Sequence, residues 1–258
     1  MKANLDVIPS LITAETGFVG LRMPNSPIAL ELLRESGLPI AAPSANKFGH
    51  VSPTKAEHVY NDFHLDSEVT ILDGGPCTFG IESTVLKIVD LEPADSFELL
   101  ILRKGGVSEK ALHDAIISSE FSEELKISII AKKHTDFKKE TENLEGPGQF
   151  LRHYAPNIDS FLFDGNLKSD QLSLSSSVVI DYGGTFSSLK DQSMHYIDMS
   201  PRGNYLEAIN NIYDVLRWSE TREDAKSVLI CSVMDNGGEG HEHKEALFDR
   251  IFRATSGK

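Results

Sequence analysis

Cysteine is scarce in this chain: its 258 residues include two, Cys77 and Cys231, far apart. Such a pair supplies no disulfide framework and no zinc-ligand spacing, so both thiols are expected reduced and buried. Positive charge is also in deficit, with 25 Lys and Arg against 39 Asp and Glu and a formal net charge of −14. That balance excludes a protein that grips long nucleic acid by bulk electrostatics, although it leaves room for a small nucleotide or a local basic groove. Long apolar runs are missing, none approaching the roughly 20 residues that cross a bilayer. The opening, Met1 to Val7, has one lysine and no apolar core, so it does not read as a secretory signal. A cytoplasmic location without membrane association is expected. Neither a Walker sequence nor a Gly-rich dinucleotide fingerprint occurs. No Ser-His-Asp or Cys-His set can be assigned from order alone, so the catalytic group stays unknown. His241-Glu242-His243, next to Gly237-Gly238, reads as a solvated loop, and no metal ligand is assigned.

What is present is an α/β mixture large enough for two modest domains. Short strands are expected at 18–22, 38–42, 69–73, 83–89 and 99–103. A helix opens at Ser26-Pro27, with Ser26 as N-cap and Pro27 at the first helical position, and Gly37 ends it. A second opens at Ser52-Pro53 or at Thr54, where Thr54 and Glu57 have capping-box spacing. Ser108 caps a third through Ala111, Leu112 and Ile116. Between Ala131 and Glu145 lysines and acids replace apolar residues, which marks a solvated linker closed by Gly146-Pro147-Gly148. Beyond Pro156, strands at 161–163, 177–181 and 227–231 are apolar on both faces, as in a covered parallel sheet. Leu206, Ile209, Tyr213 and Leu216 mark one helix, and Leu247, Phe248, Ile251 and Phe252 the last. A small doubly wound, Rossmann-like sheet follows.

Polar motifs sit at the ends of the apolar segments in the first half. They are Leu21-Arg22-Met23-Pro24, Pro43-Ser44-Ala45-Asn46, Ser52-Pro53-Thr54, Gly80-Ile81-Glu82-Ser83-Thr84 and Leu102-Arg103-Lys104-Gly105-Gly106. Guanidiniums, an amide and hydroxyls on a rigid frame suit an anionic, phosphate-bearing ligand, which needs charge-assisted donors. In an extended segment Ser44 and Asn46 point the same way and could face a phosphate oxygen or a base edge. An ordinary Asx or serine turn is the competing reading. Tyr154, at the linker's end, could stack on a base or anchor the linker.

In their order and wording these segments, with Leu72-Asp73-Gly74-Gly75-Pro76-Cys77, resemble the later part of the YrdC-type domain of threonylcarbamoyl-AMP synthases. Arg152-His153-Tyr154-Ala155-Pro156 is similar to the linker end of the two-domain form, and the remainder resembles that form's C-terminal domain. The resemblance implies a partial YrdC-type α/β domain over 1–130, a linker over 131–156 and a C-terminal α/β domain over 157–258. It implies an enzyme joining L-threonine, bicarbonate and ATP into threonylcarbamoyl-AMP and pyrophosphate, for threonylcarbamoyladenosine in tRNA. Carried over, Arg22, Ser44 and Ser83 contact threonine, while Asn46, Ser52, Thr54, Arg103 and Tyr154 contact the nucleotide. Magnesium arrives with ATP, and tRNA or its modification machinery is a further expected partner. The family's domain begins upstream of the position of Met1 with a basic segment facing the triphosphate. A truncated domain with an exposed sheet edge or apolar face is therefore expected. The alternatives are a non-catalytic RNA- or nucleotide-binding protein and a carbamoyl-transfer domain of hydrogenase maturation.

Overall fold

The computed structural model describes residues 1–91, 96–119, 126–131, 153–167, 172–233 and 240–255, with backbone alone at Lys126 and Ala131. Most of the expected linker lies outside these residues. The chain divides into two compact units, one of Met1–Phe48 with Ser52–Cys77, the other of Gly49–Val51 with Thr78–Lys258.

The first unit carries two α-helices and almost no sheet. Helix α1 (Pro27–Ser36) begins and ends where expected: the Ser26 hydroxyl accepts from the Ala29 N–H, Pro27 is the first residue, and Gly37 closes it at φ +61°. Helix α2 (Ala56–Phe63) starts later than expected, after Lys55. The capping box does not form, because the Thr54 N–H donates to Nδ1 of His58 at 3.1 Å. The strands expected at 18–22, 38–42 and 69–73 do not form either. Among the described residues this unit pairs strand-fashion only at an isolated Lys2–Phe18 bridge. A strand is made by its partner's ladder, so apolar alternation without one leaves an irregular chain. Leu21, Met23, Leu38, Phe48, Leu65 and Leu72 of this unit are all largely exposed. Cys77 is exposed as well, against the expectation of burial, while Cys231 is buried.

The second unit holds two sheets. Strand β1 (Val85–Leu91) pairs antiparallel with β2 (Ser96–Arg103), which pairs parallel with β3 (Lys126–Ala131). Helix α3 (Glu109–Ile117) follows β2, its Ala111 N–H capped by the Ser108 hydroxyl. The other sheet is wholly parallel, in the order β4 (Ser160–Phe163), β7 (Ser227–Cys231), β5 (Ser177–Asp181), β6 (His195–Asp198). Strands β5 and β7 are buried at every position, the pattern of a sheet covered on both faces. Val178, Ile180, Val228 and Ile230 face α4 (Tyr205–Glu220) and α5 (Lys244–Ala254) in the main core. Val179 and Leu229 pack with Phe163 on the opposite side, against Phe186 and Leu189 of a 3-10 turn. Full burial of one such side chain contributes about 1.5–3 kcal/mol.

Helix α4 is the pivot of this unit. Its N-terminus is capped by Asn204, whose Oδ1 accepts from the Glu207 N–H at 3.0 Å. Ala208, Ile209, Ile212, Val215 and Leu216 bury its apolar face. A polar stripe spaced three, four and three residues apart runs beside that face, at Asn210, Tyr213, Arg217 and Glu220. Each grips chain from the first half of the sequence. Asn210 Oδ1 accepts from the Gly80 N–H, the Tyr213 hydroxyl reaches Glu82, Arg217 donates to the Val51 carbonyl, and Glu220 meets His50.

Candidate functional site

The loop at residues 80–84 approaches α4 so closely that its first position must be glycine. A Cβ on Gly80 would lie 2.4 Å from the Ile209 carbonyl oxygen and 2.6 Å from the Asn210 Cα. Ile81 is buried, Glu82 points its carboxylate at Tyr213 and Arg250, and Ser83 is exposed. Thr84 closes the loop by donating its hydroxyl to the Val107 carbonyl and accepting from the Val107 N–H.

Where β2 ends, a second glycine is needed for the same reason. A Cβ on Gly105 would stand 2.3 Å from the Glu82 oxygen, and the Gly106 N–H donates to that oxygen at 3.0 Å. The two motifs thus share one backbone surface. Arg103 is buried and donates Nε and Nη2 to the Ser83 carbonyl at 3.2 and 2.9 Å. Its charge and the N–H donors left on Nη1 and Nη2 are what it can still offer an anion.

Tyr154 is the third component. It holds a left-handed backbone at φ +60°, a conformation costing an ordinary residue about 1–2 kcal/mol and often found at ligand clamps. Its ring is buried beside Tyr213 and His153, with centroids 5.4 and 4.0 Å away, and the Arg250 guanidinium lies 5.0 Å over it. Among the described residues the Tyr154 hydroxyl has no hydrogen-bond partner. Burial pushes its pKa up, with Glu82 acting the same way. Burial also lowers His153 from 6.5 to about 4, with Arg253, Arg103 and Arg250 opposing its protonation and Glu82 favouring it.

Beneath these residues lies an ionic knot that sequence reasoning missed. The Glu82 carboxylate accepts from the Tyr213 hydroxyl at 2.9 Å and from Arg250 Nε at 3.0 Å. Arg250 also donates to Asp249 at 2.6 Å and to the Lys104 carbonyl at 2.9 Å, and Asp249 accepts from Arg253 at 2.9 Å. Burial disfavours the Arg250 charge, but Tyr213, Tyr154, Glu82 and Asp249 outweigh it and hold the guanidinium protonated. The signal was available: Arg250 falls between Leu247 and Ile251 on the apolar face of α5, where an arginine requires a partner.

The remaining candidates belong to the first unit. Arg22 and Ser44 are exposed and lie outside helix and strand. The chain bends over 45–47, so strand alternation does not align Ser44 with Asn46. Asn46, half-buried, donates Nδ2 to the Lys47 carbonyl at 2.8 Å, as a turn residue does. Ser52 and Thr54 are buried. Because His58 Nδ1 accepts the Thr54 N–H, its proton resides on Nε2. The structure therefore brings Ser83, Arg103 and Tyr154 around one knot in the second unit, and places Thr54 beside His58 in the first, with Ser52 buried. Among the described residues no group of three or more His, Cys, Asp or Glu is arranged to hold a metal ion, and no helix is long and apolar enough to cross a membrane.

Residues 1–105 match the family model described as Telomere recombination, and residues 107–256 match that of the Threonylcarbamoyl-AMP synthase C-terminal domain. A threonylcarbamoyl-AMP synthase of Bacillus subtilis is 32% identical over 98% of this chain and 67% of its own length. One from Schizosaccharomyces pombe is 40% identical over 66% of this chain and 38% of its own. The crystal structure of Pyrococcus abyssi Sua5 complexed with L-threonine superposes with a TM-score of 0.72 at 27% identity, covering 97% of this chain and 67% of that one. A variant of that protein with an adjacent histidine and tyrosine both changed to alanine gives 0.65 at 25% identity. The chain thus spans about two thirds of the length of the Bacillus subtilis and Pyrococcus abyssi proteins.

Proposed function

This chain belongs to the threonylcarbamoyl-AMP synthase family of enzymes, and from that membership we propose that it binds L-threonine and MgATP and forms threonylcarbamoyl-AMP. Bicarbonate completes the substrate set, and pyrophosphate is the second product. The reaction joins a carboxylate oxygen of N-carboxylated threonine to the α-phosphorus while the bond to the bridging oxygen breaks and pyrophosphate departs. Such a transfer needs alignment and neutralised phosphate charge more than a covalent intermediate. Magnesium enters as part of the nucleotide substrate and needs no resident cage in the protein. The adenylate supplies tRNA threonylcarbamoyladenosine synthesis, with the tRNA-modification machinery downstream.

One observation supports this reading above the others: the 103–106 turn meets the 80–84 loop backbone at a distance only Gly105 permits, and Arg250 ties both to the Tyr154 ring. In this reading Ser83 offers an exposed hydroxyl to threonine, assisted by Arg22 and Ser44. Arg103 turns its remaining charge to the nucleotide, where Asn46, Ser52, Thr54 and Tyr154 also act. The threonine complex of the Pyrococcus abyssi protein supports the substrate, and its histidine–tyrosine variant draws attention to His153 and Tyr154 here. Residues 1–130 then form the catalytic part, 131–156 the linker and 157–258 the C-terminal domain.

The test uses ATP labelled at the α- and γ-phosphates: the γ-label should leave in pyrophosphate and the α-label stay on a threonine-containing adenylate. Release that depends on both threonine and bicarbonate is expected. Release independent of threonine, or none together with no binding of threonine or ATP, would refute the reading.

A further inference from the structure

One guanidinium touches all three substrate-facing segments of the second unit. Arg250 pairs with Glu82, next to Ser83; it donates to the Lys104 carbonyl, next to Arg103; and it lies over the ring of Tyr154. The Tyr213 hydroxyl completes the set, donating to Glu82 and accepting from Arg250 Nε at 3.0 Å. Arg250 is fully buried and Tyr213 is 1% exposed, so neither offers its polar atoms to a ligand directly. Nor does folding demand this chemistry, since well-packed apolar side chains of similar volume commonly stabilise as much as a buried ion pair. What apolar packing cannot supply is direction. Nε and Nη2 converge on Glu82 Oε2 while Nη2 also donates to the Lys104 carbonyl, and the rigid guanidinium so sets where each segment lies.

We infer that Glu82, Tyr213 and Arg250 are positioning residues, which hold the Ser83 hydroxyl, the Arg103 guanidinium and the Tyr154 ring in binding register before substrate arrives. This rests on the reading that Ser83 meets threonine while Arg103 and Tyr154 meet the nucleotide. Pre-set groups bind more tightly because little ordering is left for the ligand to induce.

The full chain is titrated with threonine and, separately, with MgATP by calorimetry, as wild type and as Tyr213→Phe, Arg250→Met and Ile251→Val. Tyr213→Phe keeps the ring and removes one hydroxyl. Ile251→Val trims the same core and removes no polar atom of the knot, and so supplies a comparison for the loss of packing alone. Both knot variants are expected to weaken each ligand about three- to ten-fold, the worth of one or two hydrogen bonds, while Ile251→Val binds as wild type. In turnover the loss falls on KM, with kcat within about two-fold. Wild-type binding in the knot variants, or weakening no greater than that of Ile251→Val, overturns the inference and leaves the functional reading intact. A wild-type chain that binds neither ligand overturns the functional reading and the positioning role with it. Should Arg250→Met fail to fold, Tyr213→Phe decides the matter by itself.

Discussion

His153 sits beside three arginines in a largely dry setting, and its pKa of about 4 makes it a sensor of acid. The unfolded imidazole titrates near 6.5, so between about pH 6.5 and 4 the unfolded state takes up a proton that the folded state refuses. Stability should fall through that window as pH drops and stay level above it. Thermal melts of wild type and His153→Asn at successive pH values measure the effect: the variant's curve should be the flatter across the window, and parallel curves would remove His153 from the account. Tyr154, one position on, has its own tension. A left-handed tyrosine is retained because Tyr213, His153 and Arg250 enclose its ring, so packing outweighs a backbone cost of about 1–2 kcal/mol.

At the level of helices and strands, α5 shows how tightly the parallel sheet is sealed. Leu247 is fully buried against the sheet in the same cluster as Val228 and Ile230. Truncating it, Leu247→Ala, should cost about 2–5 kcal/mol, read by chemical denaturation with an unchanged m-value. Elements specified locally were legible beforehand: the Ser26-Pro27 start and Gly37 stop of α1, the Ser108 cap of α3, and the apolar runs of β4, β5 and β7. Elements that exist by virtue of a neighbour were not. Strands β3 and β6 went unread: each is short and forms as a parallel partner of a neighbouring strand, β2 and β5. The apolar runs at 38–42 and 69–73 carry strand-like composition and find no ladder. Propensity in a strand reports fit to a half-buried surface, so it fails in both directions when the surface is unknown.

Over the whole molecule, the decisive contacts join residues remote in sequence. Glu82 and Arg250 are 168 positions apart, so the sequence showed that Arg250 needs a partner without showing which one. Motif reading proposes Ser83 and Arg103 for one site but gives no hint that Arg103 spends two donors on the Ser83 carbonyl. The knot's energetics can be measured as a cycle. Glu82→Gln and Arg250→Met each leave a buried charge uncompensated or a carboxylate without its cation, a loss of about 3–5 kcal/mol. The double variant should be more stable than the sum of the two losses implies, because the second change removes what the first stranded; strict additivity in denaturation would show the pair to be uncoupled. The two thiols carry a practical corollary of the fold. Burial drives the Cys231 thiol up to about 12 and closes it to alkylation, whereas Cys77 lies open with its N–H bonded to the Thr54 carbonyl. A maleimide dye added to the native chain therefore marks a single address without mutagenesis, one peptide hydrogen bond from a motif expected to meet nucleotide.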